Sequence, residues 1–143
     1  PVTASGGATR TLTAANSGSA NLFDSAAGIT YTLPAPSVGL VYDFYTSVLQ
    51  TSSAHVVVTD AGTTFLLGAI AMFSGEAVAP SATLGPMMFL ANGTSFVRYT
   101  SNGTTTGGGI GTTLRFTCIS ATIWYVSGIV KSPSGTLATP FAV

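Results

Sequence analysis

The stretch Val38-Gly39-Leu40-Val41-Tyr42-Asp43-Phe44-Tyr45-Thr46-Ser47-Val48 decides the fold class. Read at a period of two, Leu40, Tyr42, Phe44 and Val48 share one face, and Val41, Asp43, Tyr45 and Ser47 share the other. The first set reads as core. Aromatic and β-branched residues dominate it, as a half-buried strand requires. Upstream, Pro34-Ala35-Pro36 ends the preceding segment because proline removes ladder donors. Outward from this strand the same pattern repeats, with turn signals roughly every eight to twelve residues, which marks an all-β sandwich or barrel.

The other expected strands are Thr9–Thr13, Asn21–Asp24, Ile29–Leu33, His55–Thr59 and Thr64–Phe73, the last with a bend at Gly68 allowed. Asn92-Gly93 stands between the apolar runs Met87–Ala91 and Thr94–Thr100, which predicts a type I′ hairpin because both turn residues need positive φ. Thr113–Ser120 and Ile123–Lys131 predict a second hairpin across Ala121-Thr122, with Leu114, Phe116, Cys118, Trp124 and Val126 inward. Glu76–Pro86, with its two prolines and Gly85, reads as a loop long enough to be functional. Gly107-Gly108-Gly109-Ile110-Gly111 reads as a flexible loop; it has no following Lys-Ser/Thr and precedes a strand, so it is no phosphate loop. No helix template fits, and no repeat of twenty to fifty residues is visible. The expected organisation is an N-terminal arm over residues 1–10, one β domain over 11–131 and an extended tail over 132–143. Phe141 and Val143 of that tail need an apolar place to dock.

Composition narrows the function. The chain of 143 residues holds four basic and four acidic residues, one His and one Cys, with net charge zero. Charged residues are 6 % of the chain, against about 25 % in an average soluble domain. Most catalysis needs clustered ionisable groups, and here there are few to cluster. Arg10, Arg98, Arg115 and Lys131 are scattered singly, so no basic patch exists to neutralise phosphates, and neither nucleic acid nor membrane is expected as a partner. The longest strongly apolar stretch, Phe65–Phe73, is too short to span a bilayer. A neutral surface also carries little repulsion between copies of itself.

Each candidate chemistry has a plainer structural counterpart. His55 is alone, so no His pair can hold a metal; it reads as a surface or edge-strand residue. Asp24, Asp43, Asp60 and Glu76 match no spaced calcium loop. Asp43 is the one acid inside a strand; as a glycosidase carboxylate it lacks a partner, and it reads instead as paired with an arginine such as Arg98 or Arg115. Cys118 beside Phe116 reads as a buried, inert thiol. Asn92-Gly93-Thr94 and Asn102-Gly103-Thr104 match the glycosylation pattern but are better explained as turns. Tyr45, Tyr99 and Tyr125 fall on the less core-like alternation, where they can stack on sugars or line a protein interface. The expectation is therefore no enzyme and no cofactor.

Several stretches carry a resemblance: Leu12-Thr13-Ala14-Ala15-Asn16-Ser17-Gly18, Ile29-Thr30-Tyr31-Thr32-Leu33-Pro34-Ala35-Pro36 and Val58-Thr59-Asp60-Ala61-Gly62-Thr63-Thr64-Phe65-Leu66-Leu67-Gly68. Asn102-Gly103-Thr104-Thr105, Leu114-Arg115-Phe116-Thr117-Cys118 and Trp124-Tyr125-Val126 complete it. Over most of its length the chain resembles the head decoration, or cement, proteins of tailed bacteriophages. The resemblance implies a compact β-barrel or jelly-roll-like sandwich on the outer surface of the virion capsid. It further implies a homotrimer that bridges adjacent subunits of the major capsid protein. On that reading the shell contacts are expected from Val2, Thr3, Thr9 and Arg10 in the arm and from Glu76 and Pro80 in the loop. Contacts between subunits are expected from Tyr45, Tyr99 and Phe141. The alternative is a carbohydrate-binding module of a phage tail or fibre protein.

Overall fold

A computed structural model describes residues 2–3, 9–74, 86–133 and 136–143. The strands are β1 (Val2–Thr3), β2 (Thr9–Thr11), β3 (Ala20–Phe23), β4 (Thr30–Thr32), β5 (Val41–Thr46) and β6 (His55–Val58). They continue with β7 (Phe65–Ser74), β8 (Met87–Asn92), β9 (Arg98–Ser101), β10 (Thr113–Cys118), β11 (Ile123–Ser132) and β12 (Phe141–Ala142). One 3-10 turn, Ala14–Asn16, interrupts them. The strands make a seven-stranded sheet, β1-β3-β5-β10-β11-β7-β8, and a five-stranded sheet, β12-β9-β6-β4-β2. The two sheets pack as a sandwich and do not close into a barrel.

The N-terminal half is wound as a coil. From β1 to β6 the chain alternates between the sheets, so that β1, β3 and β5 lie parallel in one and β2, β4 and β6 lie parallel in the other. Parallel neighbours need a crossover; here each crossover is a strand of the facing sheet, where α/β proteins use a helix. A jelly roll, by contrast, is built of antiparallel pairs. The offsets differ from turn to turn: Ala20 faces Asp43, whereas Thr30 faces Val56. Unequal turns and unlike side chains explain why no repeat is visible in the sequence. The arm expected over residues 1–10 therefore contributes β1 and the start of β2 to the two sheets.

The second half closes the larger sheet. β10 pairs antiparallel with both β5 and β11, which confirms the hairpin across Ala121-Thr122. β11 pairs parallel with β7 over ten residues, the longest ladder in the molecule. Gly68 makes that ladder possible: at φ +135, a Cβ there would lie 2.1 Å from the Val126 carbonyl oxygen.

Alternation places the core between the sheets. Phe23, Tyr42, Phe44, Leu114, Phe116, Trp124, Val126, Leu66 and Ile70 point inward from the larger sheet; Tyr31, Val57 and Tyr99 point inward from the smaller. Edge-to-face contacts run Phe23–Tyr31–Phe44–Phe116 at centroid separations of 5.5, 5.2 and 5.4 Å. Such pairs add about 0.5–1.5 kcal/mol each beyond area burial. The buried phenols are satisfied by backbone: Tyr31 donates to the Leu22 carbonyl and Tyr42 to the Thr13 carbonyl, both at 2.8 Å.

Several expectations are corrected. Asn92-Gly93 does not make a hairpin. β8 stays at the edge of the larger sheet, while β9 belongs to the smaller one. The Asn92 side chain accepts the Thr94 and Ser95 amides, and Gly93 at φ +77 turns the chain across the sandwich. Only Gly93 has the positive φ that a type I′ hairpin needs at both turn positions, and Leu66 captures the segment: it donates to the Phe96 carbonyl, and its own carbonyl accepts the Gly93 amide. Gly107, Gly108 and Gly109 are buried and bonded rather than a flexible loop; Gly109 donates to the Lys131 carbonyl, and the Gly108 carbonyl accepts the Gln50 amide. Val48 lies past the end of β5 and is exposed. Most of the expected loop Glu76–Pro86, including Glu76 and Pro80, lies outside the described residues.

Candidate interaction surface

The side chains left outside the core define two outer faces. On the larger sheet the odd positions of β5, β10, β11 and β7 point away from the core, and register sets them in rows. Tyr45, Thr113 and Ile129 make one row and Asp43, Arg115 and Ser127 another. Toward the other edge the rows continue as Ile129, Ala71, Met88 and Ser127, Ala69, Leu90. This face thus has a polar half over β5 and β10 and an apolar half over β11, β7 and β8.

The polar half holds a shallow depression of about 370 Å³ lined by Asp43, Tyr45, Thr113, Leu114, Arg115, Ser127 and Gly128. Arg115 Nε and Nη2 donate to Asp43 Oδ1 and Oδ2 at 2.7 and 2.9 Å, the bidentate geometry expected of a strong Arg–carboxylate pair. That hydrogen bond and its charge hold the Arg115 guanidinium above its ordinary pKa. Gly128 brings the backbones together here: a Cβ on it would lie 2.2 Å from the Thr113 carbonyl oxygen. The sequence expectation that Asp43 pairs with an arginine is met, with Arg115 as the partner.

The apolar half comprises Leu67, Ala69, Ala71, Phe73, Met88, Leu90, Tyr125 and Ile129. Leu90 is 71 % exposed, Met88 59 % and Ile129 52 %, values that no core residue approaches. Lys131 lies at its rim, paired in register with Phe73. Apart from Tyr125, sequence reasoning passed over these residues, although a signal was present. The run from Phe65 to Phe73 is apolar at both odd and even positions, which ordinarily means burial on both faces; here only one face has a cover among the described residues.

The residues expected at interfaces are dispersed. Tyr45 is exposed beside the depression, and Tyr125 is exposed farther along the same sheet. Tyr99 and Phe141 are buried within the chain, at 1 % and 3 % exposure, and offer no surface to another subunit. Tyr99 is inward because β9 pairs with β6 in register with Val57; burial pushes its phenol pKa upward. Phe141 finds its apolar dock on its own chain, in β12 beside β9, with its ring 6.0 Å from that of Phe96. Val2 and Thr3 lie in β1, and Thr9 and Arg10 in β2, on edges of the two sheets.

Inside the sandwich, His55 is fully buried at the start of the central strand of the smaller sheet, not at a surface or edge. Its ring stacks on Phe23 at 4.6 Å, and its Nδ1 accepts the Ile29 amide at 3.1 Å. Its Nε2 and Asp24 Oδ1 both lack a hydrogen-bond partner of normal geometry. Desolvation lowers the His55 pKa to about 4, opposed by the nearby Asp24 charge and the Ser25 backbone. The imidazole is neutral at pH 7. Cys118 is buried, donates to the Ser120 carbonyl at 3.2 Å, and has its pKa raised chiefly by burial, which disfavours the reactive thiolate. Among the described residues no three His, Cys, Asp or Glu side chains gather as a metal site. The chain matches no protein-family model, no curated protein and no solved structure.

Proposed function

We propose that this chain is a structural assembly protein that decorates and stabilises an icosahedral phage capsid. It sits on the outer surface of the virion, bridges adjacent major capsid protein subunits, and does so as a homotrimer. The observation that carries the reading is the outer face of the larger sheet: broad, half apolar and charged only at the Asp43–Arg115 pair and Lys131, it suits flat packing against protein. The resemblance set out above supplies the identity of the shell. The mechanism is added buried area, each copy tying together subunits that would otherwise separate. The β1 and β2 edges, with Val2, Thr3, Thr9 and Arg10, remain the proposed shell contacts. The test is co-sedimentation with expanded phage heads that lack the protein, with copies counted per head. Saturable binding in threes at each local threefold is expected; no binding to shells at micromolar protein overturns the reading.

One feature favours a second reading, a carbohydrate-binding module of a tail or fibre protein. Tyr45 stands beside a depression whose polar lining is the fixed Asp43–Arg115 pair with Thr113 and Ser127. An aromatic face with bidentate polar groups suits a sugar ring. Glycan binding abolished by Tyr45→Ala would select this reading.

A further inference from the structure

We infer that the apolar half of the larger sheet, formed by β11, β7 and β8, is where a second copy of this chain packs, sheet against sheet. The exposed parts of Leu67, Phe73, Met88, Leu90, Tyr125 and Ile129 amount to roughly 600 Å², at the top of the range for the largest patch on a monomer and approaching the ~800 Å² that each partner contributes to a standard interface. Among the described residues nothing covers this area.

Three features select a second copy as the occupant. The first is relief. Ala69 and Ala71 stand side by side in β7, flanked by Leu90 and Met88 on one side and by Ser127 and Ile129 on the other. The small residues leave a trough, and the exposed Leu90 and Met88 of an opposing copy are the size to fill it. A surface carrying both ridge and trough is self-complementary, as a twofold contact between identical chains requires. The second is charge. The chain has no net charge, and Lys131 at the rim is the one charged residue on the outward positions of these three strands. Two copies therefore meet without like-charge repulsion, and no charge need be desolvated at the centre. The third is the edge. β8 ends the sheet, and its residues Met87 to Asn92 carry no charge or proline. Proteins usually guard an edge that is to stay solitary with lysine, proline or a bulge; among the described residues β8 has no such guard, which fits an edge that a neighbour shields.

The inferred contact is a twofold one, separate from the threefold contact of the proposed trimer, and it does not require a capsid. The experiment is sedimentation equilibrium of the full chain from 1 to 200 μM, with Leu90→Glu beside a control charge on the opposite sheet, Thr32→Glu. Circular dichroism and melting curves verify that both variants fold. Expected is a concentration-dependent oligomer for the parent and for Thr32→Glu, with association weakened at least tenfold in Leu90→Glu. Met88→Lys serves as the second variant and is expected to act like Leu90→Glu. A parent that is monomeric at 200 μM overturns the inference, as does an oligomer that persists in both patch variants. Self-association without binding to phage heads would retain this inference and remove the shell reading.

Discussion

The two outer faces of this sandwich are made by the same alternation yet have opposite chemistry. On the five-stranded sheet the outward residues are Thr9 and Thr11, Thr30 and Thr32, Val56 and Val58, and Arg98 and Thr100, set side by side by register. Apart from Arg98 these are β-branched side chains of nearly one size, several ending in a hydroxyl that water can satisfy. On the seven-stranded sheet the outward residues of β7 and β8 range from Ala69 and Ala71 to Phe73 and Leu90, and none carries a hydroxyl. A threonine face keeps β propensity while remaining wet. A leucine and methionine face keeps it only at a cost in exposed apolar area, which a partner would remove. The difference shows that strand-forming residues can be chosen for solvent or for a neighbour without disturbing the fold beneath.

The largest effect that would break this comparison lies under the apolar face. Gly68→Val places a side chain against the Val126 carbonyl at a backbone conformation that L residues avoid. It is expected to cost more than about 3 kcal/mol and to abolish the cooperative melting transition. Next comes the smaller sheet, which carries the buried titrating group. The His55 pKa is lowered from 6.5 to about 4 on folding, so between those values the unfolded chain binds the proton more tightly. Stability is then full above pH 6.5 and falls as the pH drops toward 4, by on the order of 3 kcal/mol. Melting from pH 7 to 4.5 should show this slope, and His55→Gln, which can still accept the Ile29 amide, should flatten it.

Exchanging the character of the faces should have smaller effects. Leu90→Thr gives the apolar sheet a residue of the threonine sheet, and its stability should stay within about 0.5 kcal/mol. Its binding of a hydrophobic dye should drop well below that of the parent. Smallest of all is Arg115→Ala in the polar half, where the exposed pair with Asp43 is screened by solvent. Its melting temperature should be indistinguishable from the parent's in 0.5 M salt.

Local pattern was sufficient for much of the molecule. Tyr42, Phe44, Leu114, Phe116, Cys118, Trp124 and Val126 face inward as alternation demands, because a strand must bury one face and expose the other. The Asp43–Arg115 pair was half legible: a carboxylate on an outward position needs a cation, yet the choice between Arg98 and Arg115 depends on which strand lies beside β5. Tyr99 and His55 were misread for a related reason. Short strands such as Arg98–Ser101 and His55–Val58 do not declare which alternate face is inward until their partners are known.

Period, turn residues and composition were enough for the fold class, most of the strand positions and the poverty of ionisable chemistry. Tertiary structure alone decided the parallel coil of β1 to β6, the separation of β8 and β9 into different sheets, the burial of Gly107–Gly109, and the gathering of Leu67, Met88, Leu90 and Ile129 onto one face. Each of these depends on contacts between segments far apart in the chain, such as the register that sets Ser127 opposite Ala69 and Ala20 opposite Asp43. Alternation specifies a strand's two faces but not its neighbours, and it is the neighbours that turn scattered apolar side chains into a surface.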